Sequence, residues 1–277
     1  MTNADRVRRV RSTVMTALTA LCTLLAVGAL LIILGYIAWQ GIGSLNFRFL
    51  VDVPRPVGEG GGIGNAILGS LVLLLVSSLF GLPIGICVGV YLSEVARGRL
   101  GSTVRFIVDT LTGIPSIVTG VFVYAVLVLP MKHFSAFAGG VALAFIMIPI
   151  VARTTEEMLK LVPHSLREGA LALGAPQWRV TVGVVIPAAA SGIATGAMLA
   201  IARVSGETAP LLFTAFGSRF FPTSLNEPIA SLTVQIYNYA ISPYDEWHAQ
   251  AWAATLVLMT LVLGINIVVR FLTRKRF

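Results

Sequence analysis

The chain has 277 residues, of which 56% are hydrophobic and only 12% are charged, and its mean hydropathy is +0.88. Soluble globular proteins carry about 25% charged residues, so this composition excludes an ordinary soluble domain and indicates an integral membrane protein. The net charge of +8 would suggest a nucleic-acid partner in a soluble chain. Here the basic residues flank apolar runs, so we expect no nucleic acid. We expect a multi-pass protein of the plasma (inner) membrane, in contact with membrane lipid.

Six apolar stretches follow one another along the chain, at 13–39, 66–92, 106–129, 137–152, 187–213 and 249–269. A membrane-spanning helix needs about 20 mainly apolar residues, so the sequence predicts an all-α bundle of six spans. Pro83 predicts a kink in the second stretch, because proline removes one helical hydrogen bond. In the third stretch, Asp109 follows Arg105 by four residues, a spacing that favours an ion pair on one helix face.

Positively charged residues are distributed unequally between the two sides of this bundle. Fifteen Lys and Arg residues lie in the N-terminus, the 93–105 loop, the 153–187 loop and the C-terminus, against four on the other side. Cytoplasmic loops of membrane proteins carry an excess of Lys and Arg. We therefore expect both termini and the 153–187 loop to be cytoplasmic.

The same reasoning divides the chain into three parts. A basic segment over residues 1–12 precedes a transmembrane domain over 13–272, which includes the cytoplasmic loop 153–187, and a basic tail follows over 273–277. The uncharged segment 229–244 would place this tail outside the cell if it crossed the membrane. Its polar and tyrosine residues instead favour an interfacial or re-entrant segment.

The cytoplasmic loop contains a polar stretch with the signals of a short helix. Pro163 marks a helix start and Gly174 a helix stop, since proline favours the first turn and glycine the residue after the last turn. Leu166, Ala170 and Leu173 recur at helical spacing and predict a narrow apolar face. Such a helix between two spans is either an ordinary amphipathic loop or a docking surface for another protein.

This loop resembles the EAA loop of ABC importer permeases. Seven positions align with the family pattern: Glu168, Gly169, Ala170, Gly174, Val184, Ile186 and Pro187. Gly169 stands where the family has alanine, which lowers helix stability by roughly 1 kcal/mol, and Val184 and Ile186 are aliphatic replacements. The resemblance implies that Glu168, Gly169, Ala170 and Gly174 contact a partner ATPase.

The fifth apolar stretch contains two ionisable residues, Arg203 near its middle and Glu207 four residues later. A charged side chain at the centre of a span costs roughly 2.5–3.5 kcal/mol on insertion scales, so a compensating interaction is expected. One alternative is a structural ion pair. The other is an anion site, in which Arg203 binds an oxyanion and Glu207 holds the guanidinium when the site is empty. Ser205 and Thr208 would add hydrogen-bond donors to this substrate pathway.

The surrounding sequence is similar to that of phosphate-specific ABC importer permeases. The likeness lies in four runs: Arg-Val-Ser-Gly-Glu-Thr-Ala-Pro-Leu from Arg203, Ile-Pro-Ser-Ile-Val-Thr-Gly from Ile114, Leu-Asn-Glu-Pro-Ile from Leu225 and Val-Gln-Ile-Tyr-Asn-Tyr from Val234. The resemblance implies the type I ABC importer permease fold and a heteromeric complex that imports inorganic phosphate. The other members would be a second, homologous permease subunit, two cytoplasmic ATPase subunits and an external phosphate-binding protein. Arg203 and Glu207 then fall on the family's intramembrane charged pair.

The chain contains no GxxxxGK[ST] phosphate-binding loop, so we do not expect it to be an enzyme that hydrolyses ATP. We expect no cofactor or metal in this chain, with ATP and magnesium used by the separate ATPase. Other classes stay open on the sequence: an ABC permease for sulfate or molybdate, a secondary transporter without an ATPase, or a membrane enzyme such as a lipid phosphatase. The enzyme would need clustered histidines and acids, whereas the three histidines are scattered over separate loops.

Overall fold

The computed structural model describes residues 3–274, with side chains described for residues 8, 9 and 11–271. Helices make up most of this part of the chain, and in order they are α1 (Asn3–Ile42), α2 (Phe47–Val51), α3 (Gly64–Val90), α4 (Gly98–Gly113), α5 (Ser116–Val123), α6 (Leu129–Met131), α7 (Ala136–Lys160), α8 (His164–Ala172), α9 (Gln177–Val180), α10 (Ile186–Ser205), α11 (Ala209–Thr214), α12 (Leu232–Ala240) and α13 (Asp245–Arg274). π-helical segments at Tyr91–Val95, Tyr124–Val128 and Thr181–Val185 extend α3, join α5 to α6 and join α9 to α10. Residues 275–277 of the predicted basic tail lie outside the described residues.

Five described helices are long and apolar enough to cross a membrane, at Arg11–Ile42, Gly64–Val95, Ala136–Lys160, Gln177–Ser205 and Asp245–Phe271. A sixth crossing is available if the bent pair of helices Gly98–Gly113 and Ser116–Met131 counts as one span. The helix axis bends by 105° between the two halves of this pair. The number of crossings therefore depends on how α4 and α5 lie relative to the membrane.

The bend between α4 and α5 lies at Ile114 and Pro115. Ile114 has φ −70° and ψ 130°, an extended conformation that a residue before proline adopts because the proline ring clashes with a helical neighbour. The predicted third span at 106–129 is therefore not one continuous helix, since α4 ends within it and α5 follows the bend. Helix α4 carries Arg105 and Asp109, whereas α5 carries no charge, so α5 is the half suited to hydrocarbon.

Two other helices differ in length from the predicted spans. Helix α7 continues eight residues past 152, to Lys160, because its charged residues find partners within the fold. The fifth spanning helix runs from Gln177 to Ser205, where 187–213 was predicted. Pro187 does not begin this helix: just before it, the Ile186 N–H donates to Thr181 O, five residues back, and this wider π turn accommodates the proline.

Helices α3 and α7 form the centre of the fold. Helix α3 presents three glycines to α7 at four-residue intervals. A Cβ atom at Gly85 would lie 2.7 Å from Val151, and one at Gly89 would lie 2.5 Å from Thr155. Small residues at this spacing let two membrane helices approach closely. Helix α3 stays helical through Pro83, the position of the predicted kink.

The bundle has two ends, which contacts between its loops define. At the α8 end, the C-terminal parts of α3 and α7 meet α4 and α8. At the opposite, α12 end, the Ala136 N–H donates to Glu227 O and the Gly58 N–H donates to a Glu246 carboxylate oxygen. Tyr36 of α1 packs edge-on against Trp252 of α13, with ring centroids 5.3 Å apart. The C-terminal part of α1 and the N-terminal part of α13 therefore meet, and both lie near the α12 end.

The segment 229–244 contains the short helix α12. Its 9 residues extend about 13 Å at 1.5 Å per residue, which is too short to cross a bilayer. The Ser231 side chain caps the helix by accepting from the Val234 N–H, and Leu232 and Tyr239 are buried against the bundle. The structure thus confirms the prediction that this segment does not form a further span.

Candidate functional site

Helix α8 and its neighbours form the loop that was predicted to dock another protein. Pro163 immediately precedes the helix, Leu173 follows it, and α9 begins after Pro176. Gly174 has φ +82°, and its N–H donates to Leu171 O at 2.9 Å. A residue with a Cβ atom is disfavoured at this left-handed position, so glycine ends the helix. The predicted start and stop of the helix are confirmed.

The predicted ATPase-contact residues lie mainly on the surface of this loop. Glu168, Gly169 and Gly174 are exposed, and the Glu168 carboxylate has no ion pair with any described residue. Ala170 packs against the buried cluster beneath the helix. Leu173 was predicted on the same apolar face but is 90% exposed, so the predicted face is wrong at this position. An exposed apolar tip beside an unpaired carboxylate is suited to a protein contact.

Arg167 anchors α8 to the rest of the bundle. Its Nη2 donates to Glu94 Oε1 at 2.9 Å and to Leu159 O at 2.8 Å. The two side chains of this ion pair are only 18% and 9% exposed. Sequence reasoning missed the pair because 73 residues separate its members and no local spacing relates them.

Glu156 is the centre of a second charged network at the α8 end. Its side chain is fully buried and accepts from Arg105 Nε at 2.9 Å, from Arg105 Nη2 at 2.7 Å and from Lys160. Asp109 pairs instead with Arg153, at 3.6 Å between Oδ1 and Nη1. The predicted pair between Arg105 and Asp109 is therefore wrong. A buried carboxylate needs charged donors, so Arg105 reaches across from α4 to α7.

Both networks meet at the π segment Tyr91–Val95, where α3 ends. Glu94 receives Arg167 from α8, and Leu92 O receives Arg105 Nη2 from α4 at 3.4 Å. A connected set of polar contacts therefore runs from α8 through the end of α3 to α4 and α7. Displacement of α8 would act on the bundle through this segment.

Arg203 and Glu207 lie at an interruption between two helices. Arg203 is in the last turn of α10, Ser205 ends that helix, and α11 begins at Ala209. The expected position of Arg203 near the middle of a span is therefore wrong. A cation in the last turn is favoured by the helix dipole, which reduces the cost of placing it there. Thr208 is the residue that precedes α11, and it makes no side-chain capping bond.

The expected ion pair is present but loose. Arg203 Nη2 lies 3.8 Å from Glu207 Oε1, beyond hydrogen-bond distance, and the two side chains are 62% and 14% exposed. The Glu207 backbone is fixed, because Thr233 Oγ1 donates to its carbonyl at 3.0 Å. The Ser205 hydroxyl donates to Ala202 O at 2.7 Å, so its proton is already used within the helix.

A cavity of about 330 Å³ lies beside Arg203. Its walls come from α10, from α7 and from the bend between α4 and α5, which supplies Ile114, Ser116 and Thr119. Within the described part of the chain, Arg203 is the one charged residue that lines it. The hydroxyls of Ser116 and Thr119 have no hydrogen-bond partner among the described residues. The cavity thus joins the Ile114 run and the Arg203 run of the sequence at one cationic, hydroxyl-lined site.

Helix α11 packs against α5, the helix that carries Ser116 and Thr119 of this cavity. A Cβ atom at Gly120 would lie 2.6 Å from Pro210 Cα, so α5 and α11 are in close contact. Interrupted helices at the depth of a membrane are tolerated where they line a cavity, and transporters use such positions to bind ions and substrates. The geometry therefore suits transient binding of an anion within the bundle.

Comparison with known proteins identifies the family. The profile described as "Binding-protein-dependent transport system inner membrane component" matches residues 81–277. The chain is 48% identical to "Phosphate transport system permease protein PstA" of Yersinia pestis, over 86% of this chain and 81% of that one. It is 37% identical to "Probable phosphate transport system permease protein PstA" of Methanocaldococcus jannaschii, over 96% and 94% of the two chains.

Solved structures show the same architecture. A chain of the inward-facing MetNI methionine ABC transporter superposes with a TM-score of 0.67 at 23% identity, covering 78% of this chain and 96% of that one. A chain of a bacterial alginate ABC transporter also gives 0.67, at 16% identity and with 98% and 96% coverage. At these identities the likeness establishes the fold, that of the type I ABC importer permeases. The chain belongs to the family of binding-protein-dependent transport system inner membrane components, together with permeases of the PstA type.

Proposed function

We propose that this chain is the membrane-spanning subunit of an ATP-driven importer and that inorganic phosphate passes through the cavity beside Arg203. The observation that carries the proposal is this cavity, where an exposed guanidinium faces unpaired hydroxyls between interrupted helices. Phosphate as the cargo is supported by the relative named for phosphate transport, with which 48% of the aligned residues are identical.

The chemistry of the site fits weak binding of a tetrahedral oxyanion. The guanidinium of Arg203 is always charged and offers forked N–H donors that match two phosphate oxygens. Ser116 and Thr119 supply uncharged donors in the wall of the same cavity. Glu207, 3.8 Å from the guanidinium, competes with phosphate for it and keeps it in place between binding events. Passage requires binding that is weak enough to permit release, and this competition supplies that weakness.

The other parts of the importer are separate chains. A second, homologous permease subunit would complete the pathway, and an external phosphate-binding protein would deliver cargo at the α12 end. Two cytoplasmic ATPase subunits would bind α8 through Glu168, Gly169, Ala170 and Gly174, with Leu173 as an apolar contact. ATP and magnesium would be used in those subunits, and this chain would hold no cofactor. Closure of the ATPases would move α8 and expose the Arg203 cavity to each side in turn.

The test is uptake of labelled phosphate and labelled sulfate by cells that lack this gene. They would carry the wild-type chain, Arg203→Gln or the control Arg99→Gln, with membrane abundance measured for each. Arg99 lies exposed on α4 outside the cavity. Loss of a charged hydrogen bond to the anion corresponds to about tenfold or more in rate, so we expect Arg203→Gln to lose most of the phosphate uptake and Arg99→Gln to retain it.

Three results would contradict parts of the proposal. Full phosphate uptake by cells with Arg203→Gln would show that Arg203 does not bind the cargo and only pairs with Glu207. Restored sulfate uptake without phosphate uptake would show that the cargo is another oxyanion. Uptake that persists when the ATPase genes are deleted would favour a secondary transporter.

A further inference from the structure

A second cavity, of about 340 Å³, lies at the α12 end of the bundle, away from α8. Its walls come from the loop before α3, the loop after α11, one face of α12 and the start of α13. Both charged side chains that line it are arginines, Arg55 and Arg219, and no acidic side chain in the described part of the chain lines it. Its volume lies within the range of small-molecule sites.

The loop that carries Arg219 is held in a defined conformation. Phe216 and Gly217 have φ values of 63° and 134°, in the left-handed region that residues other than glycine rarely adopt. Such a backbone persists where surrounding contacts hold it. One contact here is from Asn65, which is fully buried and donates from Nδ2 to Ser218 O at 2.7 Å. The structure therefore fixes the backbone next to Arg219 over the cavity.

The loop that carries Arg55 is fixed in a similar way. Arg55 stands between two prolines, which restrict its backbone, and Pro54 forms a β-bridge with Gly61. Arg55 Nη2 lies 3.6 Å from Asp52 Oδ2, and the arginine side chain is 51% exposed. This distance is beyond a hydrogen bond, so the N–H donors of Arg55 are available to a ligand.

The remaining wall supplies uncharged groups. Gln235 and Asn238 present amides from one face of α12, and the rings of Tyr239 and Trp247 stack with centroids 5.1 Å apart. Burial raises the pKa of the Tyr239 phenol above its ordinary value, so this side chain stays neutral. Two cations with several neutral donors and no lining carboxylate form a set that recognises a small oxyanion and repels a cation.

Helix α11 connects this cavity to the Arg203 site. The helix begins two residues after Glu207, extends about 9 Å, and places Leu212 in the wall of the second cavity. We infer that the cavity of Arg55 and Arg219 is a second oxyanion site, which receives phosphate at the α12 end before it reaches Arg203. The identity of the anion rests on the proposed function, whereas the anion preference of the cavity rests on its own residues.

The test measures occupancy of the cavity directly. In the complete transporter with Cys22→Ala and Cys87→Ala, Asn238→Cys provides a thiol in the cavity wall, and Asn226→Cys provides an exposed thiol at the same end outside it. A membrane-impermeant maleimide is applied in vesicles without the external binding protein. We expect inorganic phosphate, and not chloride, to slow labelling of Asn238→Cys and to leave that of Asn226→Cys unchanged. Adding Arg219→Gln should raise the phosphate concentration needed for half-protection about tenfold.

Control variants distinguish a specific site in this cavity from a general effect of surface arginines and from binding at Arg203. Arg48→Gln removes an exposed arginine of α2 outside the cavity and should keep full protection, as should Arg203→Gln. Absent protection, or equal protection with and without Arg219→Gln, would overturn the inference. Protection by unloaded binding protein alone would show that the cavity is a protein contact. Phosphate uptake by the same cells is measured in parallel. Normal phosphate uptake without protection of the Asn238→Cys thiol would reject this second site and leave the proposed function standing. Protection of that thiol by sulfate, in cells that take up no phosphate, would reject phosphate as the cargo and leave the oxyanion site standing.

Discussion

Glu156 and Arg203 represent two kinds of charged residue in this bundle. Glu156 is fully buried and in contact with Arg105 and Lys160, so its charge is compensated by the fold itself. Arg203 is 62% exposed and has its carboxylate partner at 3.8 Å. A buried charge that accepts hydrogen bonds from two cations serves structure, whereas an exposed cation with a loose partner is available to a ligand.

This contrast predicts different outcomes for two adjacent glutamates. Glu156→Gln would remove the carboxylate that Arg105 and Lys160 contact; because these cations are 35% and 52% exposed, the loss should be about 1–3 kcal/mol, below that of a fully buried ion pair. The control Glu157→Gln loses an ion pair whose carboxylate is 53% exposed, which is worth about 0–1 kcal/mol. Thermal unfolding of the purified chain and its abundance in membranes measure both. Equal melting temperatures for the two variants would contradict a structural role of Glu156.

At the scale of elements, α8 contacts the bundle through the packing of Ala170 and through Arg167, which donates to Leu159 O and forms an ion pair with Glu94. The proposed partner surface and the internal anchor occupy neighbouring positions of the same helix, since Glu168 is exposed while Arg167 faces inward. Force on the surface of α8 would therefore pass through Arg167 to the end of α3. Under the proposed function, binding of the ATPase and coupling to it would then depend on different residues.

A charge reversal distinguishes these two roles. Arg167→Glu places a like charge against Glu94, so we expect phosphate uptake to fall by about tenfold while the ATPase subunits still copurify. Glu94→Arg combined with Arg167→Glu should recover part of the uptake, since the pair is restored with its charges exchanged. Glu168→Lys should instead reduce ATPase copurification. If the double variant is no better than Arg167→Glu alone, the ion pair does not carry the coupling.

The sequence was sufficient for features that depend on local chemistry. The limits of α8 follow from Pro163 and Gly174, and the absence of a span in 229–244 follows from its polar residues. Pro115 is a local signal for the bend, but the span 106–129 was predicted from its hydropathy alone, without use of this proline. Contacts between distant residues have no such local signal, so Arg167 with Glu94 was missed and Arg105 was assigned the wrong partner.

The candidate site at Arg203 also has a part that could be predicted from local spacing and a part that could not. The spacing of Arg203 and Glu207 predicted their pairing, which the structure shows as a loose contact. The cavity beside Arg203 could not be predicted, because it forms only when the bend of α4 and α5 meets α10 and α7. Its uncharged members, Ser116 and Thr119, lie in the Ile114 run that resembles the permease family, but nothing in the sequence places that run beside Arg203.

For the whole molecule, the number of crossings decides on which side each terminus lies. Helix α4 contacts α7 at the α8 end through Arg105, and α5 leads from there toward Ser135, whose N–H donates to Thr214 O at the α12 end. Ser116–Met131 has 16 residues and extends about 24 Å, somewhat less than a hydrocarbon core of about 30 Å. A short span of this kind is accommodated by local thinning of the bilayer. If the bent pair counts as one span, the described residues make six crossings, an even number.

An even number predicts that both termini lie on the same side, and the excess of Lys and Arg predicts that this side is the cytoplasm. Ser12→Cys should react with an impermeant maleimide only after permeabilisation, whereas the exposed Asn226→Cys at the α12 end should react in intact cells. A green fluorescent protein fused after Phe277 should fluoresce, since it folds in the cytoplasm and fails outside. Labelling of Ser12→Cys in intact cells alongside a fluorescent fusion would mean five crossings. Helices α4 and α5 would then both remain on one side, and the Arg203 cavity, which they line, would lie at the membrane surface.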